Sequence, residues 1–185
     1  DLYQKYLYFY CHQKSDLLLH RLLEGTELTE YIFDKFKGKC FKCRKILSLR
    51  DKKNKMQIDH TRPLAYLWPL DKTATSLCKN CNTLKRDLFP IDFYTSDELQ
   101  NLSVLTGISL AELKKRETNN KILREVIIRK DWFFEEFLVQ EKLYEKKDGK
   151  RASSLICKAL DRAIKKSNYK NEFSFLKYYK DLNFF

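Results

Sequence analysis

Cys40-Phe-Lys-Cys43, Met56-Gln-Ile-Asp-His60 and Cys78-Lys-Asn-Cys81-Asn82-Thr-Leu-Lys85 are the stretches on which the fold turns. Two C-x-x-C pairs separated by 34 residues can each place two thiolates on one ion, and together they complete a tetrahedral four-cysteine zinc site. Four protein ligands leave no open coordination position, so the expected role is structural. A redox-active C-x-x-C is the other chemistry for a single pair, but no βαβ pattern surrounds either one. Cys11 and Cys157 have no paired spacing and are expected to be buried or free thiols.

Between the pairs, Met56 to His60 alternates apolar and polar side chains, as a strand does, and ends in Asp59-His60. Neighbours on a strand point to opposite sides. At a strand end, however, one can face a cation while the other faces a water. Asn82 follows the second pair directly, with Lys85 a helical turn further on.

Outward from this core the texture is helical. Leu2 to Leu23 has helical spacing with Gly25 as a stop, and Thr29 to Phe36 reads as a second, shorter helix. Gly38 to Pro90 carries the cysteines, a basic stretch and few periodic apolar residues. Beyond it, Ser96 is expected to cap a helix over Asp97 to Leu105, with a break at Gly107. Ser109 with Glu112 forms a capping box. Asn119 or Asn120 opens a long helix reaching about Lys146, and Ser153 to Lys166 and Glu172 to Leu182 supply two more. The expected fold class is α+β and mostly α-helical. Its segments are a helical stretch 1–37, a core 38–95 and a helical region 96–185.

Lysine and arginine exceed aspartate and glutamate by 37 − 25 = 12 charges. A surplus of this size points to a polyanionic partner, most simply nucleic acid. Ten of the residues from Lys35 to Lys55 are basic and only Asp51 is acidic. A solvated face normally mixes signs, so this block reads as a phosphate-facing surface. No apolar run approaches the roughly 18–20 residues of a membrane span, and the opening residues do not read as a secretory leader. A cytoplasmic location with reduced thiols is expected.

The order Cys40, Cys43, Asp59-His60, Cys78, Cys81-Asn82 and Lys85 resembles zinc-containing HNH (ββα-metal) nucleases. The stretch Asp59-His-Thr-Arg-Pro-Leu-Ala-Tyr-Leu-Trp-Pro-Leu70 is similar to the HNH cleavage domains of type IIS restriction endonucleases, and the likeness extends toward Phe89-Pro-Ile-Asp-Phe-Tyr94. About 50 residues carry the resemblance. It implies a β-hairpin and helix gripping one divalent cation such as Mg²⁺, with His60 as general base and Asp59 and Asn82 as metal ligands. It also implies a double-stranded DNA partner, and a dimer or two successive binding events for a double-strand break. The middle asparagine of the family pattern falls on Thr73, with Asn80 and Asn54 as substitutes; this is a departure that leaves the role unassigned.

Phosphate contacts are expected from Arg62, Lys79, Arg86, Lys42, Arg44 and Lys45; Lys85 is either a phosphate contact or part of a solvated helix face, and Thr73 and Lys85 are also candidates for supporting residues of the site. Lys114, Lys115, Arg116, Arg124, Arg129 and Lys130 offer the same two alternatives. His12 and His20, on the first helix, read as packing or surface residues. Homing, phage or toxin-type HNH nucleases are competing readings, and so is a zinc-stabilised nucleic-acid-binding module without catalysis. Asp59, His60 and Asn82 discriminate, because a binding module needs no hard-cation site beside its zinc.

Overall fold

A computed structural model describes residues 26–139, 146–147, 150–167 and 172–182. The expected first helix, with Cys11, His12 and His20, lies outside them. The described chain is α+β and mostly helical, and it divides into two compact units.

The cysteine-bearing unit is drawn from Asp16–Leu64 and Trp68–Arg116. Its first described helix, α1 (Thr26–Lys35), buries Leu28 and Ile32, one helical turn apart, and Phe36 continues that stripe. The chain then reverses through Lys37 and Gly38, both at positive φ (53° and 61°). Glycine suits this φ, which L side chains rarely adopt. A Cβ at this position would stand 2.8 Å from Cζ of Phe33, and the Gly38 N–H donates to the Phe33 carbonyl.

Residues 39–46 form a tight knuckle. Cys40 N–H donates to Lys45 O, Arg44 N–H to Cys40 O, and Lys39 bridges Ile46 in antiparallel fashion. Strand β1 (Gln57–Asp59) then pairs antiparallel with β2 (Thr75–Leu77), in the register Gln57↔Leu77, Ile58↔Ser76 and Asp59↔Thr75. The Phe41 N–H donates to Ser76 O, which fastens the knuckle onto β2. Helix α2 (Lys79–Lys85) follows β2 directly.

The short turn α3 (Pro90–Phe93) places proline at its first position, where the missing N–H costs nothing. The next helix, α4 (Ser96–Thr106), is capped by Thr95, not Ser96; Thr95 Oγ accepts from the Glu98 N–H in a full capping box. Gly107 ends it at φ 75°. Ser109 and Glu112 form the expected capping box on α5 (Leu110–Leu113). Leu99 and Leu102 of α4 and Leu113 of α5 bury in the same core as Phe41, Leu77 and Tyr94. Both expected segment boundaries, 37/38 and 95/96, therefore fall inside this one unit.

The second unit includes Ala65–Leu67 and the chain from Glu117 onward. Asn119 caps α6 (Asn120–Ile128), and its backbone N–H donates to Tyr66 O. The expected single helix to Lys146 is corrected here. Arg129 leaves helical geometry (φ −101°, ψ 29°). A short turn, Lys130–Trp132, leads into a π-helical turn, Phe133–Phe137, closed by Leu138 N–H on Phe133 O. Lys146–Lys147 (β3) pairs antiparallel with Lys150–Arg151 (β4). Apolar spacing reads alike through a regular helix and an interrupted one. Phe133, Phe134, Phe137 and Leu138 are all buried at this turn.

The unit closes with α7 (Ala152–Lys166) and α8 (Phe175–Asp181). Asp161 of α7 accepts from the Phe175 and Leu176 N–H groups and from Ser174 Oγ, so one carboxylate caps the last helix. Cys157 is buried in this core as a free thiol. No helix among the described residues is long and apolar enough to cross a membrane.

Candidate functional site

The four cysteines converge. The Sγ atoms of Cys40, Cys43, Cys78 and Cys81 all lie within 4.8 Å of one another, and among the described residues this cluster could hold a metal ion. Four thiolates are a donor set compatible with zinc. Two local devices build it. The knuckle turn brings Cys40 and Cys43 together, and Cys78, in extended conformation (φ −77°, ψ 162°), caps α2 by accepting the Cys81 N–H on its sulfur. Burial raises the thiols of Cys40 and Cys81. At Cys78 burial pushes the same way, yet the Cys81 N–H and the neighbouring thiols bring it down to about 7. A metal ion bound by these four sulfurs would take the place of their protons.

Strand β1 stops at Asp59, so His60 lies just past the ladder, as its place at a strand end required. Asp59 is buried and His60 half-buried. Asn82 sits inside α2, one residue beyond Cys81, and is half-buried. It is not the cap of that helix; Cys78 is. Lys85, three residues on, shares its helix face.

Lys85 is not at the surface. Its side chain is 0% exposed, so it neither contacts phosphate nor solvates a helix face. Nζ lies 2.7 Å from Asp59 Oδ2 and donates to the His60 carbonyl at 2.7 Å. The Asp59 contact is an ion pair off the line of a hydrogen bond, and Oδ2 is buried without another partner. Burial raises the Asp59 carboxyl to about 6 against the pull of the ammonium. Burial also lowers Lys85, with Asp59 opposing. The His60 imidazole is held down at about 4, first by burial and then by Lys85, with Asp71 opposing. Near neutrality the ring is uncharged, and its burial makes it a weaker base than an exposed imidazole.

Thr73 hydrogen-bonds its hydroxyl and backbone N–H to Asp71 Oδ1. Thr61, next to His60, donates to the Thr73 carbonyl at 2.6 Å and meets the Thr75 hydroxyl. The loop from β1 to β2 is thus braced by Thr61, Asp71 and Thr73 together. Neither Thr61 nor Asp71 had a spacing signal in the sequence. Asn54 lies elsewhere, bonded through Nδ2 to Asp51.

The expected phosphate contacts separate into two groups. Lys42 pairs with Glu98 at 2.6 Å, and Arg62 stacks 3.6 Å over the Trp68 ring and reaches Glu112 at 3.5 Å. Arg116 pairs with Asp92 and Arg129 with Glu125. Lys79, Arg86, Arg44, Lys45, Lys114, Lys115 and Arg124 are exposed. No protein-family model matches this chain, and neither a curated protein nor a solved structure matches it.

Proposed function

We propose that the chain is a metal-dependent DNA endonuclease acting by an HNH mechanism, a type II restriction endonuclease or its cleavage domain. The four-cysteine cluster holds structural zinc in this reading. The observation that supports it is that α2, which carries Asn82 and is capped by Cys78 of the cysteine cluster, packs on the Asp59-His60 end of β1 through Lys85, whose Nζ lies 2.7 Å from Asp59 Oδ2 and 2.7 Å from the His60 carbonyl.

The donor set fits a hard cation. Asp59 and Asn82 offer oxygens of the kind a hard cation takes, and a cation on Asp59 would share the carboxylate with the Lys85 ammonium, 2.7 Å from Oδ2. A divalent cation such as Mg²⁺ held there would stabilise charge growing on the scissile phosphate and on the leaving 3′-oxygen. His60, neutral at pH 7, takes the proton of the attacking water on a ring nitrogen. Asn82 is fixed because α2 begins at a metal-ligating cysteine. Double-stranded DNA is the substrate, reached through the basic knuckle. A double-strand break requires two copies of the chain or two successive binding events.

One observation favours a second reading, a zinc-stabilised nucleic-acid-binding module without catalysis: the Asp59 carboxylate is already neutralised by Lys85. Supercoiled-plasmid cleavage with Mg²⁺, with EDTA and with His60→Ala decides. Metal-dependent cleavage lost in the variant is the expected result. Salt-sensitive DNA binding with no cleavage would establish the second reading.

A further inference from the structure

An ammonium with no exposed surface is tolerated in a protein only when it is paired and hydrogen-bonded. If Lys85 served only to join α2 to β1, an apolar side chain would do so at least as well, since buried ion pairs replaced by well-packed apolar groups are often neutral or stabilising. The charge needs another explanation, and its second contact supplies one. His60 lies beyond the last paired residue of β1, Asp59, so the β1–β2 ladder does not fix its backbone. The hydrogen bond on its carbonyl comes from Lys85 Nζ, at 2.7 Å. The same ammonium is 2.7 Å from Asp59 Oδ2, in the residue before. One cation therefore grips both residues of the Asp-His pair, from the helix that also carries Asn82.

We propose that Lys85 is a positioning residue for His60: its ammonium, shared between the Asp59 carboxylate and the His60 carbonyl, sets the direction in which the imidazole leaves the end of β1. The role in catalysis rests on the nuclease reading above; the orientation of His60 does not. Lys85 would not touch the substrate. It would act through the backbone of the general base, where small displacements of a reacting group carry large rate penalties.

The test compares wild type with Lys85→Met by two measurements. The first is the chemical shift of the His60 carbonyl and imidazole carbons in isotopically labelled protein. The second is plasmid cleavage with Mg²⁺ as a function of plasmid concentration, with His60→Ala as the inactive reference. The expected result is shifted or split His60 resonances with unchanged bound metal, and a maximal cleavage rate lower by about 100-fold at an unchanged half-saturating DNA concentration. Unmoved His60 resonances in a folded variant would overturn the proposal, as would a wild-type cleavage rate in Lys85→Met. If the single variant fails to fold because Asp59 is left as a lone buried charge, Asp59→Asn with Lys85→Met removes both charges at once. The His60 resonances of that double variant are then compared with those of Asp59→Asn. A wild-type protein that cleaves nothing would remove the nuclease reading, while the resonance comparison would still decide what Lys85 does.

Discussion

Cys43 Sγ and Cys78 Sγ stand 3.7 Å apart, one thiol from each C-x-x-C pair. Four sulfurs at zinc–thiolate distance in a tetrahedron are separated by about 3.8 Å along each edge. The Cys43–Cys78 edge has that length, and all four sulfurs lie within 4.8 Å of one another. Serine at position 78 retains a capping oxygen for α2 while removing a metal ligand. Cys78→Ser is therefore expected to lose bound metal and to melt at a clearly lower temperature, with the melting of wild type becoming sensitive to chelator. Metal analysis beside thermal denaturation checks this. One ion per chain in the variant would refute the four-cysteine assignment.

The pH behaviour of His60 follows from its burial. Its folded pKa, about 4, is below the unfolded value near 6.5, so folding favours the neutral ring. That contribution to stability is complete above pH 6.5 and is lost as pH falls toward 4, at about 1.4 kcal/mol per unit. Asp59, raised to about 6, acts in the opposite sense: its burial costs stability as pH rises from 3.8 toward 6. The two partly cancel in a global stability curve, so the imidazole resonance is the measurement to make. A midpoint below 5 is expected. An ordinary midpoint near 6.5 would show that the ring is solvated.

Gly38→Ala tests the entry to the knuckle. The φ of 61° costs an L-residue roughly 1–2 kcal/mol, and the new methyl group meets the Phe33 ring as well. Urea denaturation should show a loss of at least that size. Phe33→Leu in the Gly38→Ala background should recover the steric part and leave the dihedral part. Unchanged stability on Gly38→Ala would mean that the turn relaxes freely.

The basic block predicts a salt dependence. Among the described residues Lys39, Arg44, Lys45, Arg50, Lys52, Lys53 and Lys55 are exposed and form no ion pair. The block's acidic residue, Asp51, accepts instead from the Lys53 N–H and Asn54 Nδ2. Changing Arg44, Lys45, Lys52 and Lys53 to glutamine should reduce the slope of log affinity against log salt by about 3 to 4 for duplex DNA. Lys42→Gln should change it less, because Lys42 is already paired with Glu98. Equal slopes for wild type and the fourfold variant would remove this surface from the DNA interface.

Much of the local structure was legible. The Ser109–Glu112 capping box, the stop at Gly107 and the strand ending at Asp59 are short-range features, each set by residues within a turn of one another. The cap of α4 was displaced by one residue because Thr95 and Ser96 are both competent, and only Thr95 stands three residues before Glu98. The interrupted helix after Ile128 was not legible, since the same aromatic spacing satisfies a continuous helix.

At the candidate site the division is sharper. The sequence by itself determined the cysteine cluster, because C-x-x-C spacing places two thiolates on one ion whatever surrounds them, and two such pairs need only a hairpin to meet. It also placed Asp59-His60 at a strand end. The tertiary structure alone decided what Lys85 is. A lysine one turn after Asn82 reads as a solvated cation until α2 packs on β1 and takes its ammonium out of water. Burial depends on contacts across 25 residues of chain. No local pattern encodes the loss of solvent that turns a surface charge into the partner of Asp59.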